Sequence, residues 1–235
     1  MTAMTYDDFK KTFMLSVEDI CRDICRDQQY SIKIKNEDVA VKNLVIIFNA
    51  TLELSNRKGF QAMSLRDLSE KTELSLGALY AYFSSKEELL DIIMSQGWRI
   101  IDKALTRQIA GEKDIREMLR AAIKTHLYLS EMLQPWFFFS FMEAKNLPGE
   151  QIKKIIRSEL FTEKIFADIL QDGANKGVFS IRKNELMLTA SLIKAILQDW
   201  YLKRWKYVRR GETIDEYARF AIGSIEKMVL SDARY

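Results

Sequence analysis

Residues 64–86, SLRDLSEKTELSLGALYAYFSSK, constrain the fold of this 235-residue chain more than any other stretch. Two helix-start signals lie close together in it. Ser64 has Asp67 three residues on, the spacing of a capping box, and Ser75 stands directly before a second periodic run. Leu65 and Leu68 face inward from the first helix, and Leu79 and Phe83, four apart, share one face of the second. Thr72-Glu73-Leu74 is left for the turn. Gly77 and Ala78 are small, so the second helix can approach another molecule closely. A short capped helix on a tight turn is the geometry that enters a DNA major groove.

The rest of the chain reads as helices. It has only two prolines and nine glycines, and apolar residues recur at helical spacing almost throughout, which predicts an all-α fold. Residues 6–27 form a first amphipathic segment, with Phe9, Phe13, Val17, Ile20 and Ile24 on one stripe. Helices follow over 38–58, closed by Gly59, and from Ser84 or Ser85 to about 109. Further helices are predicted over 112–133, from Pro135, over 149–176, over 184–207, and from the Thr213–Glu216 capping box to about 230. Residues 178–181 read as a short extended connector. No apolar run is long enough to span a bilayer and no signal pattern opens the chain, so a cytoplasmic protein without membrane partners is expected.

The string Leu74-Ser75-Leu76-Gly77-Ala78-Leu79-Tyr80-Ala81-Tyr82-Phe83, then Ser85-Lys86-Glu87-Glu88-Leu89, follows Gly59-Phe60 and Met63-Ser64-Leu65-Arg66-Asp67-Leu68 in fixed order. In this order it resembles the tetracycline-repressor (TetR) family of bacterial transcriptional regulators, over roughly residues 42–92. The resemblance implies an N-terminal helix-turn-helix head of three helices and a larger C-terminal helical body that binds an effector and dimerises. Here an N-terminal helical extension would occupy 1–36, the DNA-binding domain 37–92 and the body 93–235. The extension either packs on the body of its own subunit or forms an arm that stabilises a dimer or touches DNA. The chain departs from the family pattern at Glu73, where the turn usually carries Gly, at Ser69, and at Leu76 and Ala81, which remove polar groups from the DNA face.

The resemblance implies a ligand-responsive, sequence-specific DNA-binding regulator, a repressor that a largely apolar small molecule releases from its double-stranded operator. The alternative is a helical protein–protein adaptor whose helix-turn-helix is structural. On the regulator reading, Ser64, Arg66, Tyr80, Tyr82 and Lys86 hold phosphates, and Ser75, Leu76, Gly77 and Ala78 lie nearest the bases. Residues 135–142, PWFFFSFM, are apolar on every face of a helix, so they must be enclosed by protein or ligand. Trp136, Phe137, Phe138, Phe141 and Met142, with Trp98, Met118, His126, Leu127 and Phe166, are the candidate effector wall. The resemblance also implies a homodimer through two stripes. One carries Leu186, Ala190, Ile193, Leu197 and Trp200 or Tyr201, and the other Tyr217, Phe220, Ala221, Ile225 and Met228.

Charge does not advertise a nucleic-acid partner. The net charge is +3, and residues 37–96 hold six Lys/Arg (Lys42, Arg57, Lys58, Arg66, Lys71, Lys86) against nine Asp/Glu. A few placed cations and helix N-termini must then hold the phosphates, and DNA binding should depend only shallowly on salt. The cluster Lys203, Arg204, Lys206, Arg209, Arg210 reads as a solvated, partner-facing helix end or as a contact for an acidic head group such as a coenzyme A phosphate. Cys21 and Cys25, four apart, and the lone His126 make no metal set. With no nucleophile–base pair and no phosphate loop, neither an enzyme nor a cofactor is expected.

Overall fold

The computed structural model describes residues 4–13, 17–27, 30, 32–143 and 149–230. Among them all regular structure is helical: α1 (Tyr6–Thr12), α2 (Val17–Arg26), α3 (Glu37–Lys58), α4 (Leu65–Thr72), α5 (Leu76–Leu79), α6 (Lys86–Ala110), α7 (Ile115–Met132), α8 (Gln134–Glu143), α9 (Gly149–Asn175), α10 (Leu186–Leu202), α11 (Arg204–Arg209) and α12 (Ile214–Val229). Local chemistry sets most ends. Asn36 caps α3 through the Val39 amide. Ser64 with Asp67, and Thr213 with Glu216, close full capping boxes. Gly59 (φ 85°) ends α3 in a backbone region that favours glycine.

The segment 6–27 carries α1 and α2, and its residues 14–16 lie outside the described residues. The helix expected over 184–207 breaks at Lys203 into α10 and α11. The cause is Asp199. It pairs with Lys203 (2.6 Å) and Lys206 (2.7 Å) and accepts from the Tyr207 hydroxyl, drawing the chain back. Tyr207 then stacks on Trp200, ring centroids 5.2 Å apart, with Tyr217 against both.

The chain forms two compact units, neither of them continuous in sequence. The first comprises Lys10–Arg99 with the described residues of Pro135–Ile155. Here α2 buries Ile20, Cys21 and Ile24 against α3 and is tied by Arg22 to Glu37 (3.0 Å) and by Arg99 to Asp27 (2.6 Å). So α2 packs on the helix-turn-helix head rather than on the body. Helix α8 belongs to this unit too. The Trp136 indole N–H donates to the Ile93 carbonyl of α6 (3.0 Å), Asn56 Nδ2 donates to the Pro135 carbonyl (2.9 Å), and Phe139 meets Phe60 edge-on. Gly97 makes room for this: a Cβ there would lie 2.0 Å from the indole.

The second unit holds the described residues up to Phe9, Ile100–Gln134, and the described residues from Ile156 onward. Helix α7 is its centre, packed by α10 and α12. The start of α1 docks here through the Tyr6 amide on Asp215 (3.0 Å) and Phe9 against Tyr128. The unit boundaries thus differ from the expected 1–36, 37–92 and 93–235. The head takes α8 and α6 as far as Arg99, and the body takes the first turn of α1.

Candidate nucleic-acid interface

The turn before α5 is built by side chains. Glu73 takes φ 59°, the only positive φ at a non-glycine among the described residues. Without glycine's freedom the turn is held in other ways. Ser69 Oγ donates to the Leu74 carbonyl (2.5 Å), Thr72 Oγ1 to the Leu68 carbonyl (2.7 Å), and the Leu74 amide to Thr72 Oγ1 (3.3 Å). Ser69, a departure from the family pattern, is therefore one of the turn's fasteners. Ser75 accepts from the Ala78 amide (3.1 Å), and Leu79 anchors the helix with no exposure.

That anchoring leaves Ser75, Leu76, Gly77 and Tyr80 exposed and Ala78 half-buried, with Tyr80 45% and Leu76 38% accessible. Ser64 and Arg66 are exposed at the start of α4. Helix α5 is shorter than the expected 75–83, and residues 80–82 continue it only as a turn. The geometry reassigns two expected DNA contacts. Tyr82 is 1% exposed, and its hydroxyl accepts from Asn43 Nδ2 (2.8 Å), which fastens the end of α5 to α3. Lys86 Nζ donates to the carbonyls of Phe60, Gln61 and Met63 (3.1, 3.1 and 3.0 Å), satisfying chain ends after α3 rather than a phosphate. Both roles depend on tertiary neighbours that sequence spacing does not reveal. Asp67, hydrogen-bonded by Lys58 and by the Ser64 amide and hydroxyl, stays far below the usual carboxylate range and remains charged in its capping box.

The candidate effector residues divide between the units. Trp98, Trp136, Phe137, Phe138, Phe141 and Met142 lie in the head unit, and Met118, His126, Leu127 and Phe166 in the body. Trp136, Phe137, Leu127 and Phe166 are buried, whereas Phe141 and Met142 are exposed, so α8 is not enclosed on every face as expected. In the body His126 is buried beside Lys194, a residue the sequence reading missed. Lys194 Nζ donates to Thr162 Oγ1 (2.7 Å), pairs with Glu159 (3.3 Å) and lies 3.4 Å from His126 Nε2. An ammonium only donates, so this ring nitrogen accepts, and the imidazole is neutral. Burial first, then Lys194, pushes the His126 pKa well down. Burial likewise lowers Lys194, against Glu159. The available signal was that Lys194 is the single charge between Glu185 and Asp199.

The stripe expected to make the dimer is largely internal. Leu186, Ala190, Ile193, Leu197, Trp200 and Tyr201 are buried within the body, as are Ala221 and Ile225. Helix α10 is apolar on two faces, and periodicity cannot say which one turns inward. The outward face carries Met187, Leu188 and Leu192, joined on α12 by the expected Phe220 (76% exposed) and Met228, with Tyr217 half-buried. Between α10 and α12 runs an apolar groove of about 860 Å³, lined by Leu192, Ile196, Tyr217, Phe220 and Met228 among others.

A capped helix held outward by a braced turn, on a three-helix head followed by a helical body, is the arrangement of a helix-turn-helix transcriptional regulator. Residues 47–93 match the family of bacterial regulatory proteins named tetR, and residues 112–224 match a tetracycline-repressor-like C-terminal domain. The chain belongs to the TetR family. It is 21% identical to the transcriptional regulator HbdR of Aromatoleum sp. (strain CIB), over 70% of this chain and 71% of that protein. It is 25% identical to the transcriptional repressor KstR of Mycobacterium tuberculosis, over 48% of this chain and 54% of that one. Its fold matches AibR, solved in complex with isovaleryl coenzyme A and operator DNA, with TM-score 0.67 at 18% identity, covering 77% of this chain and 97% of AibR.

Proposed function

We propose that this regulator is a homodimeric repressor that a largely apolar small molecule releases from its operator. The carrying observation is the outward face of α5, where Ser75, Leu76 and Gly77 stand exposed on a helix fixed from behind by Leu79. Leu76 and Ala78 suit thymine methyls, and Ser75 a base edge. Ser64, Arg66 and Tyr80 flank them as phosphate contacts. KstR, a repressor, and AibR, which takes an acyl coenzyme A together with operator DNA, support the repressor and effector parts of this reading.

The exposed strip of α10 and α12 supplies the two-fold contact, and two heads then read half-sites on one face of a duplex. In the body, Leu127 and Phe166 offer apolar wall, and the Lys194–His126–Thr162 group offers a polar end. The effector must bind the DNA-incompetent form more tightly, or it shifts nothing. Two elements would carry such a shift: α6, which begins in the head unit and ends in the body at Ala110, and α8, held to α6 by Trp136. Selection of duplexes from a random pool by the full chain tests the reading. A palindromic site protected as two half-sites is expected, and no selected sequence would sink it.

A further inference from the structure

Half of the head's own cations are spent. Lys58 pairs with Asp67 (2.6 Å), Lys71 with Glu53 (2.7 Å), and Lys86 serves three carbonyls. That leaves Lys42, Arg57 and Arg66 of the six in residues 37–96, where nine carboxylates stand. Yet a regulator of this shape must hold a polyanion in register, and phosphate contacts do that holding.

The missing charge lies just outside the family-like segment. The Lys33 amide donates to the Ala81 carbonyl (2.8 Å), which seats residues 32–36 against the end of the recognition turn, one residue from exposed Tyr80. Lys33 and Lys35 are both exposed, and neither has an ion pair among the described residues. Asn36 then caps α3, and Lys42 follows on that helix beside Asn43, whose side chain binds Tyr82. Three exposed cations without an ion pair among the described residues, Lys33, Lys35 and Lys42, therefore lie along the stretch of chain that binds Ala81 and Tyr82, and Arg66 stands at the start of α4.

We propose that residues 32–36 form a second DNA-contact element in which Lys33 and Lys35 grip the phosphate backbone beside the groove that α5 enters. The inference rests on the DNA-binding reading and adds to it. The extension positions charge on the duplex, and the acidic head would otherwise hold it weakly.

The test measures binding of the full chain to its selected duplex, and to an unrelated duplex, across a salt series. Lys33→Ala/Lys35→Ala is expected to weaken both by the same factor and to lower the slope of log affinity against log salt by about 2. Lys33→Arg/Lys35→Arg should restore the slope, which a merely structural role for the linker would not explain. Lys103→Ala, in the body, should leave it unchanged. A second readout uses the unaltered protein: bound duplex should shield both lysine amines from acylation. An unchanged slope in the alanine pair, or amines equally reactive with and without duplex, overturns the inference. A chain that selects no duplex at all overturns the regulator reading and this inference together.

Discussion

Glu73 and Gly97 show how single residues hold the head, in opposite ways. Glu73 occupies left-handed backbone (φ 59°) with nothing but turn geometry to require it. Glu73→Gly should therefore raise stability by about 1 kcal/mol, since such strain costs roughly 1–3 and glycine's extra unfolded freedom returns part. A thermal melt shifted upward by several degrees checks this. Gly97 is the reverse case, because the indole of Trp136 fills the space of its missing Cβ. Gly97→Ala should cost about 2 kcal/mol in denaturant unfolding through overpacking. Trp136→Leu in the same background should recover part of it. Glu73 was legible in sequence because a family-like turn lacked its usual glycine. Gly97 was not, for its reason lies forty residues away on α8.

At the scale of elements, ends written in neighbouring residues were readable and ends set across space were not. Ser64–Asp67, Ser75 and Thr213–Glu216 act within one turn, so their spacing alone places α4, α5 and α12. The break between α10 and α11 depends on Asp199 gathering Lys203, Lys206 and Tyr207, and no periodicity carries that. Burial pushes the Asp199 carboxyl up, but hydrogen bonds from these three bring it down to about 2, against an ordinary 3.8. The folded form therefore binds the proton more weakly than the unfolded chain. Its contribution is complete above the unfolded value and is lost as pH falls from about 4 through 2, amounting to about 2 kcal/mol. Asp199→Asn should be less stable at pH 7 and should flatten that acid limb in melts recorded between pH 6 and 2. Tyr82 taught the same lesson on a smaller scale. Its place in the motif suggested DNA, and Asn43 on α3 claimed its hydroxyl.

For the whole molecule, the all-α class, the head and its family followed from sequence, whereas the surfaces did not. Helix α10 shows apolar residues on two sides, so the sequence-derived stripe fell on the core side. The two faces separate experimentally. Leu192→Arg/Phe220→Arg, on exposed positions, should yield a folded monomer in sedimentation with lost operator affinity. Ile193→Ala, on the buried side, should instead cost about 2–5 kcal/mol of folding stability. Undiminished dimer in the first variant would place the two-fold contact elsewhere.

The two units interleave along the chain, which passes from one to the other inside α1, α6, α8 and α9. No single splice site therefore yields an autonomous reader. A graft ending at residue 92 would leave behind the Phe139 ring that meets Phe60 and the Pro135 carbonyl that holds Asn56. Engineers who swap heads between such regulators must transplant α8 as well, and natural recombination at one joint would face the same penalty.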